Sequence, residues 1–531
     1  MRRFAVVLLV MGITATACGD DNGNPLVPSS TTTQAPATTV ATGETYPAEM
    51  VEAYMDGCRP DGGEELCRCT IDQYQERLSL AEFIDYTSNT DIASDPLALD
   101  IIDFCLRNVD TTVTTVVSGF TDLDGVIDAT LADLDIYWAD AMLDVWGIQY
   151  EPPIVNGPYY VSQGDAPECG GPMDPASYIQ NAFYCYPDDT VQWDHEGLIV
   201  PFYENFGDFT VALALSHEWG HAIQARYGFD RVNSPTVVSE LQADCFAGAW
   251  TGWVAADESE FMHLAPGDLE EAMAGFLLIG DQLGTAPGGA GAHGGSFDRL
   301  TAFFDGLSVG AGQCATYEAT PPTVIFIPLL ETDDPVEGGD LLLADAPAIL
   351  VDALEVFWGL VYPDVFGVPW VPVSAAIPYD PASPDVAACG GFVGEPAFYE
   401  GNAFYCAADD FVAWDAVGLF PGLYTDIGDF ALGLVLADQW GRAVQTRAGL
   451  PTEGEAAQLQ VDCMAGVWTA ALTFEDNPMQ LWLSAGDLEE GIAGFLALSA
   501  TPGVEGETTA FQRFVAFKSG FFDGISVCGV A

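Results

Sequence analysis

Residues 211–226, VALALSHEWGHAIQAR, are the stretch from which the rest of this chain is best interpreted. The stretch is apolar and rich in small residues apart from His217, Glu218 and His221, which form the pattern H-E-x-x-H. Positions four apart stack on one face of a helix, so both imidazoles can reach one metal ion while Glu218 stands beside it. The same pattern also occurs in ordinary amphipathic helices, so a metal site requires further ligands from elsewhere in the chain.

A third ligand is available in a second helical segment. A catalytic zinc site needs three protein ligands and an open position for water. Glu240 opens the segment ELQADCFAGAW downstream of His221, and Asp244 follows on the same helical face. Asp244 can hold the ring N–H of a zinc-bound histidine. Glu218 would then be the general base for a zinc-activated water, whose pKa the metal lowers to about 7.

These motifs, with CGG and NAFYC before them and GDLEEA and HGGSFDR after them, resemble the bacterial family of neutral zinc metallopeptidases. The resemblance extends over residues 111–314 and implies a zincin-like fold, a Zn²⁺ cofactor and a protein or peptide substrate. Residue by residue, the zinc ligands of the family fall on His217, His221 and Glu240. Its catalytic glutamate falls on Glu218.

One further histidine belongs to a motif. His293, in AHGGSFDR, is a candidate for polarising a carbonyl or stabilising an oxyanion. The alternative is a loop or helix-capping histidine without a role in the chemistry.

The larger part of the chain contains an internal repeat with a period of about 220 residues. This period is too long for a solenoid and predicts two domains of one fold, 111–318 and 319–531. The class predicted is α+β and helix-dominated, with helices around 211–226, 237–254, 267–283 and 297–308. A short strand after a turn is predicted in FYCYPDDTVQWD. The matching segments are NAFYCYPDDTVQWD with NAFYCAADDFVAWD, LQADCFAGAW with LQVDCMAGVW, and GDLEEAMAGF with GDLEEGIAGF.

The second copy lacks the metal chemistry. All five histidines precede residue 315, and the ligand positions hold other residues. We therefore predict a non-catalytic pseudoenzyme domain, which could pair with the first as an intramolecular pseudo-dimer. Arg442 is predicted to take the place of the cation, pairing with Asp438 or Asp462. The aligned pairs are His217 with Asp438, Glu218 with Gln439, His221 with Arg442, Glu240 with Gln458, and His293 with Glu507.

The cysteines follow the same repeat. Twelve cysteines besides Cys18 make an even set, and in an exported chain they predict disulfides, with free buried thiols as the alternative. A small helical domain at 46–110 contains Cys58, Cys67, Cys69 and Cys105, whose pairing stays open. The pairs predicted from the repeat are Cys169–Cys185, Cys245–Cys314, Cys389–Cys406 and Cys463–Cys528.

The N-terminus predicts export. Residues 1–17 have a basic start, a short apolar core and small residues, as in a signal peptide. Cys18 directly afterwards resembles a bacterial lipobox, although Ala15 stands where that motif most often has Leu. We expect a membrane lipoprotein held by Cys18 through a tether at 18–45 that is rich in Thr, Ser and Pro, with a freely secreted protein as the alternative.

Charge narrows the possible partners. The chain has 13 Lys and Arg against 79 Asp and Glu, for a formal charge of −66. Nucleic acid is excluded as a partner because almost no cation is available to neutralise phosphates. The same shortage of cations argues against adhesion to anionic lipid through a basic patch. The predicted function is a membrane-anchored zinc endopeptidase. The alternatives are a non-catalytic binding lipoprotein and a zinc hydrolase acting on a non-peptide bond.

Overall fold

The computed structural model describes residues 123–289, 291–330, 333, 338–383, 386–499 and 508–530, with isolated positions between 51 and 101. By its internal contacts the chain divides into two units, Met1–Val116 and Val117–Ala531. The predicted signal peptide, Cys18 and the tether lie outside the described residues. So do the four cysteines of the 46–110 region.

Helices dominate the first half of the second unit, in the order predicted. Residues 211–226 lie in α3 (Asp208–Tyr227), which packs against α1, α2, α4 and α5. Helix α5 ends at Ile279, before the predicted end at 283, because the backbone turns extended at Gly280. The helices are α1 (Leu123–Trp146), α2 (Val200–Phe206), α3 (Asp208–Tyr227), α4 (Thr236–Ala255), α5 (Asp268–Ile279), α6 (Ser296–Val309) and α7 (Ala311–Cys314).

A small sheet lies beside α3. Its strands are β1 (Ile154–Val155), β2 (Ala182–Cys185) and β3 (Thr190–Trp193), in the order β1-β3-β2. β1 runs parallel to β3, and β2 runs antiparallel to it with Ala182 opposite Trp193. The prediction of one strand after a turn was therefore wrong, because the segment forms two strands. The turn between them ends at Asp189, which has a left-handed backbone conformation with φ of 55°.

Helices α4 and α6 cross at close range. A Cβ atom at Gly248 would collide with the carbonyl of Phe303, and one at Gly306 with the carbonyl of Cys245. Only glycine allows two backbones to approach so closely at these positions. The crossing fixes α6 against the helix that carries Glu240 and Asp244.

The second half has a similar succession of elements, with a short helix between its first two strands and a 3₁₀ turn at Ile525–Cys528 after its last helix. Its sheet has the order β4-β6-β5, again with one parallel and one antiparallel pair. The elements are α8 (Ala346–Phe366), β4 (Ala375–Tyr379), α9 (Pro396–Tyr399), β5 (Ala403–Cys406), β6 (Phe411–Asp415), α10 (Leu419–Asp426), α11 (Asp429–Ala448), α12 (Glu455–Leu472), α13 (Asp487–Leu498) and α14 (Ala510–Asp523).

Four disulfides link these elements, at the pairs Cys169–Cys185, Cys245–Cys314, Cys389–Cys406 and Cys463–Cys528. Helices with small sheets confirm the α+β, helix-dominated class. Within the part of the chain that the structure describes, none of the helices combines the length and apolarity that crossing a bilayer requires.

Candidate metal centre

Helix α3 brings the two histidines of the H-E-x-x-H pattern together. His217 and His221 are one helical turn apart, and their ring centroids lie 4.8 Å apart with the rings almost perpendicular. Both side chains are buried. The helix ends at Gly228, whose left-handed backbone lets its N–H bond to the Gln224 carbonyl.

Helix α4 supplies a carboxylate to the same point. Oε2 of Glu240 lies 3.3 Å from Nε2 of His217 and 3.3 Å from Nε2 of His221. The predicted three ligand atoms therefore converge. Residues 217 and 221 come from one helix and residue 240 from its neighbour, so the packing of α3 on α4 sets the spacing between them.

The other ring nitrogen of His217 is held by a buried ion pair. Its Nδ1 lies 2.7 Å from Oδ1 of Asp244, as the sequence suggests. Arg299, on α6, donates from Nε to Oδ2 of Asp244 at 2.8 Å and from Nη2 to Oδ1 at 2.9 Å. Sequence reasoning missed Arg299. The available signal was a lone arginine in the HGGSFDR motif of a chain with only 13 basic residues.

The other ring nitrogen of His221 is held by Gln224, which the sequence analysis also missed. Its Nδ1 lies 3.0 Å from Oε1 of Gln224, and Ser239 Oγ donates to the same oxygen at 2.9 Å. Gln224 Nε2 donates to the Ser239 carbonyl at 2.6 Å, which fixes the orientation of the amide. With both Nδ1 atoms occupied, each histidine presents Nε2 to the ligand position.

Glu218 lies beside the ligands and is fixed by the sheet. The backbone N–H of Tyr184, on β2, donates to Oε2 of Glu218 at 2.8 Å. Tyr186 also lies near the cluster, with its ring centroid 6.5 Å from that of His221. Burial raises the pKa of Glu218 above its ordinary value, although the histidines and the Tyr184 N–H act in the opposite direction.

Opposite charges outweigh burial in setting the pKa values of the ligands. Burial acts to lower the pKa of His217, but Asp244 and Glu240 raise it to about 10. The same competition, with Glu240 as partner, raises the pKa of His221. Burial acts to raise the pKa of Glu240, yet the two imidazoles hold it well below its usual range. In the metal-free site the protonated imidazoles thus place positive charge beside the carboxylates. A divalent cation bound to neutral imidazoles would place positive charge at the same point.

His293 is not brought into this cluster. Its side chain is half-exposed, and its Nδ1 lies 3.4 Å from Oδ1 of Asp281. Its backbone N–H donates to Oδ2 of the same aspartate at 2.8 Å. The structure therefore places His293 in a loop anchored by Asp281. Its aligned partner, Glu507, lies outside the described residues.

The corresponding position of the second half holds a guanidinium network. Arg442 Nε donates to Oδ2 of Asp438 at 2.8 Å and its Nη2 donates to Oε1 of Gln458 at 2.5 Å. Gln458 Nε2 in turn donates to Oδ1 of Asp438 at 2.7 Å. The predicted pairing of Arg442 with Asp438 is confirmed, whereas Asp462 pairs with Arg513 at 2.8 Å.

The converging atoms of the first half fit a zinc ion. Ligands about 2.0–2.1 Å from a tetrahedral zinc lie about 3.3 Å from one another, which is the spacing seen here. Two imidazoles, each held at its other ring nitrogen, and a carboxylate form the donor set of a catalytic rather than a structural zinc site. The fold and the site therefore have the features of zinc hydrolases that carry the H-E-x-x-H motif on a helix.

Comparisons with known proteins place the chain more closely. A family model described as "Putative neutral zinc metallopeptidase" matches residues 117–317. Uncharacterized protein YpfJ of Escherichia coli (strain K12) is 31% identical over 209 residues, covering 33% of this chain and 67% of that protein. Uncharacterized protein Rv2575 of Mycobacterium tuberculosis (strain ATCC 25618 / H37Rv) is 29% identical over 131 residues, covering 22% of this chain and 45% of that protein. The chain belongs to this zinc metallopeptidase family, whose cofactor is Zn²⁺. No solved structure matches it.

Proposed function

We propose that this chain is an extracytoplasmic zinc endopeptidase whose chemistry resides in residues 111–318. One observation carries the proposal. The Nε2 atoms of His217 and His221 converge with Oε2 of Glu240 while both Nδ1 atoms are already bonded, and Glu218 stands beside them. This donor set, with an adjacent carboxylate, is suited to hydrolysis.

Glu218 is proposed to move the proton during peptide hydrolysis. A zinc ion held by His217, His221 and Glu240 supplies positive charge that polarises a carbonyl and acidifies water. The Glu218 carboxylate takes one proton from water as the water oxygen bonds to the carbonyl carbon. It delivers that proton to the amide nitrogen as the C–N bond breaks, which regenerates the carboxylate and leaves the acid and amine products. The Tyr184 N–H fixes Oε2 of Glu218 for this transfer.

The sheet supports a peptide substrate over a non-peptide one. β2 is one of the two edge strands of its sheet and is adjacent to α3. Because the Tyr184 N–H points to Glu218, the outer edge of β2 faces the candidate metal centre. An extended peptide can add to such an edge through main-chain hydrogen bonds, which places a scissile bond next to Glu218.

The second half, 319–531, is proposed to be a degenerate copy without catalytic chemistry. The order of its elements, its two disulfides and its sheet support common descent. Arg442, Asp438 and Gln458 satisfy one another where the first half has its ligands. These groups leave no converging pair of imidazoles for a metal.

The experiment that tests the activity measures zinc content and hydrolysis together. We expect one zinc per chain and cleavage of a denatured protein substrate, with zinc retained and cleavage lost in Glu218→Gln. His217→Ala should lose zinc, while its matched control, Asp438→Ala in the second half, should keep it. Zinc retained in His217→Ala would contradict the site. Bound zinc without peptide cleavage would favour a non-peptide substrate or a binding protein.

The cellular location of the protein is proposed from its N-terminal sequence alone. The sequence around Cys18 supports a lipid anchor at the cell membrane, with the catalytic half outside the cytoplasm. In the native bacterium, the full-length protein should sediment with membranes and Cys18→Ser should appear in the soluble extracytoplasmic fraction. Membrane retention of Cys18→Ser would contradict lipidation, and a soluble unmodified protein would indicate free secretion.

A further inference from the structure

Each half contributes a glutamate that accepts a hydrogen bond at the start of a helix in the other half. Glu270, the third residue of α5, accepts a hydrogen bond at Oε1 from the Phe511 N–H of α14, at 3.1 Å. Glu489, the third residue of α13, accepts a hydrogen bond from the Ser296 N–H of α6. Glu270 and Glu489 occupy the same place in the GDLEE motif of each half. The two contacts therefore join the same elements in both directions, as in a two-fold dimer, although Glu489 bonds to the first residue of α6 and Glu270 to the second residue of α14.

The carboxylate from the other half is more important for capping the N-terminus of α6 than for capping that of α14. The first N–H groups of a helix have no partner within it, and a carboxylate there is favoured by the helix dipole. Helix α14 has its own capping box, made by Thr509 and Gln512. The N-cap residue of α6 is Gly295, which has no side chain to cap the helix. The only side-chain carboxylate that the structure places at the first N–H of α6, among the described residues, is that of Glu489.

Aromatic rings of the second half hold the same end of α6. Phe297 is buried, and four phenylalanines of α14 surround it with centroid distances between 5.1 and 6.3 Å. Further along α6, Nζ of Lys518 lies 2.8 Å from Oδ1 of Asp305 and 4.5 Å from the ring of Phe304. Helix α6 is thus bound to α14 from its first turn to its third.

Helix α6 is also the helix that supports the candidate metal centre. Arg299 lies one turn after Ser296 and forms the two-pronged ion pair with Asp244, which holds Nδ1 of His217. A continuous series of contacts therefore runs from Glu489 in the second half, through Ser296 and Arg299, to the metal-binding face of α3. A displacement of the first turn of α6, which precedes the close crossing with α4 at Gly306, would move the Arg299 fork relative to Asp244 and loosen its hold on the His217 ring.

We infer that the degenerate half positions the metal centre of the first half, and that Glu489 is a positioning residue for zinc binding. This inference rests on the proposed function, because it takes His217 as a ligand. The second half then has a structural role that requires no metal ligands of its own.

The test compares two equivalent glutamates in the full-length protein. Glu489→Ala removes the carboxylate from α6, and its matched control Glu270→Ala removes the equivalent carboxylate from α14. Zinc affinity is measured by competition with a chromophoric chelator, and ligand geometry by the absorption spectrum of bound Co²⁺. We expect zinc affinity to fall by up to about tenfold in Glu489→Ala, the lower end of the loss for residues behind the ligands, with an altered Co²⁺ spectrum.

The control separates positioning from general stability. Both alanine variants should lower the melting temperature of the metal-free protein, but Glu270→Ala should keep the zinc affinity and Co²⁺ spectrum of the unmodified protein. Glu489→Gln keeps an acceptor oxygen for Ser296 and should restore most of the affinity. If Glu489→Ala does not fold, Glu489→Asp, which keeps the charge but shortens the reach, should weaken zinc binding in the same direction.

Two results would overturn the inference and leave the proposed function intact. One is unchanged zinc affinity in a folded Glu489 variant that lacks the contact. The other is an equal loss of affinity in Glu489→Ala and Glu270→Ala, which would mean that the interface stabilises the whole fold without directing the site. An unmodified protein that binds no zinc would overturn the proposed function itself, and this inference with it.

Discussion

Arg299 decides how firmly the first histidine is held. Its side chain and that of Asp244 are both buried, with 3% and 0% of their surfaces exposed. A buried ion pair is stable only if its geometry is good and its remaining donors are satisfied. Here the guanidinium bridges both oxygens of Asp244, and its Nη1 donates to the Ile279 carbonyl at 2.6 Å. Arg299 therefore fixes Asp244, which in turn fixes the His217 tautomer.

We predict that Arg299→Lys weakens zinc binding by about tenfold, which is the lower end of the effect of such supporting residues. A lysine keeps the charge but is a single point donor and cannot bridge both carboxylate oxygens. Asp244 would then turn, and the imidazole it holds would turn with it. Chelator competition on the purified variant measures the change.

Arg513→Lys is the matched control for this prediction. Arg513 forms the same fork with Asp462 in the second half, where no histidine follows. Both variants should lose stability, but only Arg299→Lys should lose zinc affinity. Unchanged affinity in Arg299→Lys would show that Asp244 keeps its place without the fork.

At the scale of elements, sequence alone was sufficient for the two helices that carry the ligands. Residues 211–226 and 237–254 were predicted, and the helices span Asp208–Tyr227 and Thr236–Ala255. The period of a helix places residues 217 and 221 on one face, and residues 240 and 244 on another, without any knowledge of the fold. The spacing of residues along each helix was therefore enough to predict most of the candidate site.

Contacts between distant segments could not be predicted in this way. Arg299 meets Asp244 across 55 residues and Tyr184 meets Glu218 across 34, and nothing in the spacing of these residues relates them. Strand β1 has two residues, too few for a periodic pattern, and its pairing with β3 is set by the fold. The contact of Glu489 with α6 needs the relative placement of two halves, which a repeat in the sequence does not define.

At the scale of the whole molecule, the excess of acidic groups extends into the interior. Each half has buried carboxyls where two helices begin. In the first half burial and neighbouring acids raise the pKa of Asp268 to about 7 and that of Glu271 to about 8. In the second half burial, followed by Asp487, Asp429 and Asp340, raises the pKa of Glu490 to about 10. The folded protein thus keeps protons that the unfolded chain releases.

The sign of the resulting pH dependence follows from linkage. A carboxyl with a raised pKa in the folded state contributes full stability below its unfolded pKa, and that contribution is lost as pH rises towards the folded value. For Glu490 the window runs from the ordinary glutamate value near 4.5 to about 10, with a limiting slope of about 1.4 kcal/mol per pH unit. We predict that the metal-free protein melts at progressively lower temperature between pH 5 and pH 9.

Glu490→Gln tests this prediction at one group. The amide cannot ionise, yet its oxygen can still accept the hydrogen bond that Oε2 now accepts from the Phe430 N–H at 2.8 Å. The variant should melt above the unmodified protein at pH 8 and close to it at pH 4.5, with EDTA present so that zinc does not contribute. The exposed Glu475 gives the control, because Glu475→Gln is the same substitution at a surface carboxylate. An equal rise in melting temperature in both variants would assign the pH dependence to net charge, whereas a rise confined to Glu490→Gln assigns it to burial.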